Sequence, residues 1–266
     1  MDEDVAHSER RDFSLKKILP VVATVTLLCS SPVMAQTATG PLRSVLALGR
    51  VQIVADAPIS FMLSRVAIPA GSKTLYRGVD SLIYVVSGSV TVTIGNDRRS
   101  VGAEEGAYLP PGVEVAIQPS GATGAELLQY QLLRSAEISK RAMNAPASVT
   151  ELHEMKIPHN SIRSGPHEFS LTRVTLPAGG PTPRPHTRSG AALYYVLSGG
   201  DITIWPSATP DALSGEPRTE PRGAGTLQEE PYGFIHSWSP KADAPLVLLQ
   251  ANISQEGIPE IIFVKQ

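Results

Sequence analysis

The residues of this chain best suited to chemistry are His186 and His236. His186 sits on a loop stiffened by Pro181, Pro183 and Pro185, between the runs VTLP and ALYYVL. Those runs are short, rich in β-branched or aromatic residues and closed by Pro or Gly, as strands are. His236 opens a second apolar run after a Pro–Gly turn, in PYGFIHSW (Pro231–Trp238). Two imidazoles on neighbouring strands can meet inside a barrel, as metal ligands or as polar lining of a pocket. Tyr194, Tyr195, Trp205 and Trp238 read as core, with Trp238 and one tyrosine available to line an open pocket. By alternation His167, Phe169 and Leu171 share one face of a strand. The two apolar partners make that face buried, so His167 is a candidate third ligand. His153, Glu154 and His159, in HEMKIPH, lack the HExxH spacing, and Pro158 would break a helix there. Glu104-Glu105 and Glu229-Glu230 precede turns, and consecutive residues point apart on a strand, so both pairs read as solvated turns.

These candidates must be positioned by strands. The 266 residues carry 22 Gly, 23 Pro and 42% hydrophobic residues, with turn signals about every ten residues, which reads as all-β. Charge is nearly balanced, 23 Lys+Arg against 25 Asp+Glu, with no basic stripe for nucleic acid. No Gly-rich phosphate loop, G-x-S-x-G or Ser/His/Asp constellation is legible. Residues 1–35 read as a signal peptide: a polar start ending in basic residues, the apolar stretch Ile18–Cys29, then SSPVMA with cleavage expected after Ala35. The apolar stretch is too short to span a membrane. Arg10–Lys16 (RRDFSLK) also resembles a twin-arginine signal. The expectation is a periplasmic or secreted protein, free of the membrane after cleavage. The single cysteine, Cys29, lies in this leader, so the mature chain has no disulfide, thiolate metal site or cysteine nucleophile.

The mature chain repeats itself. LSRVAIPAGS (Leu63–Ser72) recurs as LTRVTLPAGG (Leu171–Gly180), and YVVSG (Tyr84–Gly88) as YVLSG (Tyr195–Gly199). Gly102–Ala116 matches Gly223–Ser237 in the same order. Two related units follow, 41–134 and 152–266, joined by a polar, helix-compatible linker, 135–151. The second unit carries two insertions, the proline-rich loop around Pro181–Pro185 and the stretch Pro206–Arg222, which reads as a surface loop. Each unit alternates strand and turn, as in the hairpin around Gly95-Asn96-Asp97, and about eight strands per unit imply a sandwich or small barrel.

The pattern PAG…H…YVLSG followed by P-x-G-x-x-H resembles the two motifs of the cupins, and two such units in tandem resemble a bicupin. The resemblance covers nearly all of the mature chain and implies a double-stranded β-helix, or jelly-roll barrel, for each unit. In metal-binding cupins the first motif carries His-x-His and a glutamate, and the second motif a third histidine. In the second unit these positions fall on His186, Arg188 and Ala192, then on His236 after Pro231 and Gly233. In the first unit they fall on the stretch Thr74–Arg77, near Ser81, and on Val115, so no ligand is expected there. Arg188 beside the histidines disfavours a cation and suits an anion, which a guanidinium grips bidentately. The sequence therefore points to an exported bicupin that binds a polar or anionic small molecule in its C-terminal barrel through Arg188, His186, His236 and Trp238. The alternative is a metal-dependent cupin enzyme, a dioxygenase, decarboxylase or isomerase, holding one divalent metal on His186, His236 and a third group such as His167. The cofactor is accordingly none or a single divalent metal. Edge strands of such barrels also make a homodimer plausible.

Overall fold

The computed structural model describes residues 40–140 and 143–265; the leader of residues 1–35 lies outside them. In chain order the first half contributes β1 (Leu42–Ile53), β2 (Ile59–Ile68), β3 (Thr74–Tyr76), β4 (Ser81–Ser87), β5 (Val90–Ile94), β6 (Asp97–Val101), β7 (Gly106–Leu109), β8 (Val115–Pro119) and β9 (Ala125–Arg134). The second half contributes β10 (Ser148–Ile157), β11 (Gly165–Leu176), β12 (His186–Arg188), β13 (Ala192–Ser198), β14 (Gly200–Ile204), β15 (Arg218–Arg222), β16 (Leu227–Glu230), β17 (His236–Pro240), β18 (Leu246–Gln255) and β19 (Ile261–Phe263). No helix among the described residues is long and apolar enough to cross a membrane. The all-β reading holds.

Four antiparallel sheets result. The N-terminal barrel is closed by an outer sheet ordered β3-β8-β5-β6 and an inner sheet ordered β10-β2-β9-β4-β7. The C-terminal barrel has an inner sheet ordered β1-β11-β18-β13-β16 and an outer sheet ordered β15-β14-β17-β12-β19. Each barrel has its own interior core, built on Val66, Ile83, Val92 and Ile117 in the first and on Val174, Tyr194, Ile202 and Trp238 in the second. A third core lies between the two inner sheets, where Phe61, Leu63 and Tyr130 of one barrel meet Phe169, Leu171 and Leu193 of the other. The central strands of both inner sheets are therefore covered on both faces. They read as continuous runs for that reason, ISFMLSRVAI in β2 and LVLLQANISQ in β18.

The first strands of the two halves are exchanged. β1 pairs with β11, on the C-terminal barrel, from Leu42↔Thr175 to Ile53↔Gly165. β10 pairs with β2, on the N-terminal barrel, from Ser148↔Ala67 to Ile157↔Ile59. Sheet membership thus crosses the sequence boundaries at 134 and 152. β1 also runs close under its original half: a Cβ at Gly49 would stand 2.2 Å from the Tyr108 ring, so only glycine fits there.

Two local expectations need correction. The segment 135–151 holds a short 3-10 turn (Ser135–Lys140) and the start of β10, because Ser148 onwards finds ladder partners on β2. The insertion 206–222 is loop only as far as 217. Arg218–Arg222 forms β15, which the hydrogen bonds of β14 recruit as an edge strand.

Phe169 packs edge-on against Phe61 across the inter-barrel core, with ring centroids 5.6 Å apart. Phe169→Ala should cost about 3–5 kcal/mol. Because the core is shared, both barrels should still unfold in one calorimetric transition at lower temperature. Two separated transitions in the variant would contradict a common core.

Candidate functional site

β12 carries His186 and Arg188 on the same face, two residues apart, and pairs with β17 through His186↔His236. The two imidazole rings lie 4.5 Å apart, so the sequence expectation that they meet inside one barrel is met. Each ring is oriented by its own backbone. His186 Nδ1 donates to the Arg184 carbonyl at 2.9 Å, and His236 Nδ1 to the Phe234 carbonyl at 3.3 Å. The proline-rich loop before His186 is pinned by Ser237 Oγ, which donates to the Pro183 carbonyl.

The residue missed from sequence is Glu230. It ends β16, is fully buried, and stands opposite Ala192 in the β13–β16 ladder. Directly paired residues of antiparallel strands project to the same face. The carboxylate that the resemblance places at Ala192 is thus supplied from the neighbouring strand. The solvated-turn expectation fails for Glu230 because alternation sends only Glu229 outward, where it meets His153 Nε2 at 2.6 Å.

Glu230 is held from every side. Trp238 Nε1 donates to its Oε1 at 3.0 Å, and Arg188 Nε to its Oε2 at 3.3 Å. His236 Nε2 lies 2.7 Å from Oε1, an ion pair when the ring is protonated, but out of line for a hydrogen bond. Arg188, itself buried, also donates Nη1 to Glu260 Oε1 at 2.9 Å and Nη2 to the Tyr194 hydroxyl. Glu260, just before β19, also accepts from Arg43 at 2.7 Å and from Gln250. Arg43 belongs to the exchanged strand β1, so both halves of the chain build this network.

The network fixes the charges. Burial opposes ionisation of Glu230, but His236, Arg188 and His186 outweigh it and bring its carboxyl down to about 2. Burial, then the neighbouring His236 and Arg188, lower His186 to about 3, so this ring is neutral near pH 7. Burial likewise opposes the Arg188 charge, yet Tyr194, Glu230 and Glu260 keep it firmly protonated.

A cavity of about 240 Å³ opens over this network. Its walls are Val174, Leu248, Ile261, Phe263, Tyr194 and Trp238, with His186, Arg188, Gln250 and Arg43 as polar lining. Three of the sequence-selected residues, His186, Arg188 and Trp238, reach the cavity. The fourth, His236, is fully buried behind His186. His167 does not join them. It shares its face with Phe169 and Leu171 towards the inter-barrel core, whereas Val174 and Leu176 line the barrel interior, and it borders a different cavity. Arg188 already pairs its charge with two carboxylates and gives a third hydrogen bond to a phenol, which disfavours its gripping a further anion.

Strand register shows what the N-terminal barrel places at the same points. Tyr76 pairs with Val115 where His186 pairs with His236, and Leu109 faces Ser81 where Glu230 faces Ala192. The Tyr76 hydroxyl donates to the Val79 carbonyl at 2.8 Å and accepts from Gln131 Nε2 at 3.0 Å, so it is satisfied within the protein.

Two barrels of this connectivity, joined back to back through their inner sheets, define a bicupin fold. Solved structures with this fold include an oxalate decarboxylase, 16% identical with a TM-score of 0.52 over 86% of this chain and 76% of that one. Others come from Bacillus subtilis oxalate decarboxylase. One, a sequence variant, is 17% identical with a TM-score of 0.51 over 86% of this chain and 76% of that one. Another, from work on that enzyme's Mn(II) centres, is 15% identical with a TM-score of 0.51 over 86% and 80%. At these identities the likeness is one of fold. No family profile matches the sequence. No curated protein matches it either.

Manganese in such a neighbour raises the question of fit here. Among the described residues no group of three His, Cys, Asp or Glu side chains is arranged to hold a metal. The nearest set is His186, His236 and Glu230, and both Glu230 oxygens are already engaged by Arg188 and Trp238. A permanently charged guanidinium also stands where the resemblance places a ligand. The donor set does not fit a catalytic divalent cation.

Two outcomes follow. Glu230→Ala strands Arg188 and the Trp238 N–H and should cost about 3–5 kcal/mol in denaturant unfolding. Stability should also fall as pH is lowered. His186 titrates near 6.5 unfolded but about 3 folded, so below 6.5 the unfolded chain binds the extra proton and gains. Glu230, depressed from 4.5 to about 2, adds to the loss below 4.5. Urea melts from pH 7 to pH 5 should show a shallower decline for His186→Gln than for the unsubstituted protein. Equal slopes would remove His186 as the cause.

Proposed function

We propose that the C-terminal barrel binds a small, largely apolar molecule carrying one hydrogen-bond donor, with no resident metal. The observation that carries this reading is His186. With Nδ1–H given to the Arg184 carbonyl and the ring neutral, Nε2 presents a lone pair with no protein partner. Around it the walls are apolar, and Tyr194 and Trp238 supply ring surface. The charged groups at the base are mutually compensated, so a carboxylate ligand would meet no uncommitted cation. A small alcohol or phenol fits this chemistry: its hydroxyl donates to Nε2 and its body displaces water from the walls. This refines the polar-ligand expectation and sets its anionic form aside. The leader-like residues 1–35 support an exported protein as the setting.

Trp238 and Trp205 are the only tryptophans, and Trp238 lines the cavity, so intrinsic fluorescence reports on it. Titration with p-cresol should give a saturable change that Trp238→Phe abolishes. His186→Ala should weaken binding roughly fivefold, the worth of one hydrogen bond. Toluene should bind more weakly than p-cresol, and 4-methylbenzoate hardly at all. Tighter binding of the benzoate, or stoichiometric manganese or iron in the purified protein that is lost in His236→Ala, would overturn the reading.

A further inference from the structure

A second cavity of about 280 Å³ lies elsewhere on the C-terminal barrel, and the network around Glu230 has no part in it. Its apolar surface comes from Ile162, Ile258 and Ile262. Ile262 stands between Ile261 and Phe263 on β19, and alternation explains why those two line the other cavity. Three polar side chains on its lining each have donor or acceptor atoms with no protein partner. Arg163 is exposed and makes no ion pair or hydrogen bond among the described residues, unlike Arg188, which is paired with two carboxylates. Ser189 Oγ is buried and has no hydrogen-bond partner. His167 is 2% exposed, and its Nδ1 donates to the Gly165 carbonyl at 3.1 Å. That bond fixes the ring and leaves Nε2 without a protein partner.

Ser189 is held in place by its backbone. Ser189 N–H donates to the Glu260 carbonyl at 3.1 Å, which ties the start of the β12–β13 connection to the end of the chain. The next residue, Gly190, passes so close under β18 that a Cβ would stand 1.8 Å from the Ile253 carbonyl oxygen. A buried hydroxyl with no partner costs free energy unless something from outside satisfies it. An unpaired guanidinium lining the same cavity supplies planar, charged donors that match a carboxylate.

We propose that this cavity is a binding site for a small organic carboxylate, with Arg163 and Ser189 holding the carboxylate and the isoleucines covering its apolar body. His167 borders the site as a further polar group of fixed orientation. The site is separate from the alcohol-binding cavity and does not depend on it.

The test is calorimetric titration of the full described chain with benzoate, benzamide and inorganic phosphate. Benzoate should bind saturably and more tightly than either of the others. Arg163→Gln, an exposed change expected to leave the melting temperature unaltered, should weaken benzoate about tenfold or more, and Arg163→Lys should restore part of the loss. Ser189→Ala should weaken it less. The proposal fails if benzoate shows no saturable binding, if Arg163→Gln binds it unchanged, or if benzamide or phosphate binds as well as benzoate.

Discussion

The structure depends on two inner sheets whose central strands have no solvent face. Each barrel gives up one of its two sheets to the interface between them, so each inner strand must satisfy a barrel interior on one side and a neighbouring barrel on the other. The strict apolar–polar alternation that usually marks a half-buried strand is lost in β2, β9 and β18. Of the polar side chains buried there, Asn252 on β18 finds no hydrogen-bond partner for either side-chain atom, whereas others are paired. Gln129 donates to Ser81, and Gln131 to Tyr76. The outer sheets keep an exposed face and carry the charged hairpins.

The same constraint shapes the site. A carboxylate with no exposure is tolerable only beside a fixed cation and further donors, and Glu230 has Arg188 and Trp238 as those partners. Arg188 in turn calls on Glu260 and Tyr194, and Glu260 on Arg43. What resembles a depleted metal motif along the sequence is, in space, a closed ion network. Its charges cancel and leave one neutral imidazole facing an apolar space. In the N-terminal barrel the same points hold Tyr76, Leu109 and Val115, and the polar network contracts to one tyrosine and its two partners.

Much of this was legible in the sequence. The repeated blocks located both barrels, and the motif spacing brought His186 to His236. Glu230 was missed because an acidic pair before a proline looks like a turn. The corrective signal lay in the repeat itself, where Gly102–Ala116 aligns Leu109 with Glu230 and an apolar partner marks an interior position. His167 was correctly read as buried but on the wrong side, since alternation tells that a face is covered and not by what. Arg43 had no local signature: its role depends on strand exchange, which leaves the pattern of β1 looking like any half-buried strand. Arg163 lies beside a short 3-10 turn, outside any repeated block.

The exchange of β1 and β10 also orders the events of synthesis. The N-terminal barrel cannot receive its last inner strand until the ribosome has passed Ile157, long after β9 is made. The C-terminal barrel, by contrast, must recruit a strand translated before any other part of the fold. Neither half can therefore be completed as a vectorially emerging unit: the edge of β2 stays open until Ile157 is made, and β1 stays without its partner until Leu176 is made. A cell making this protein has to shelter two unfinished sheets at once, so chaperone occupancy should track chain length rather than domain count.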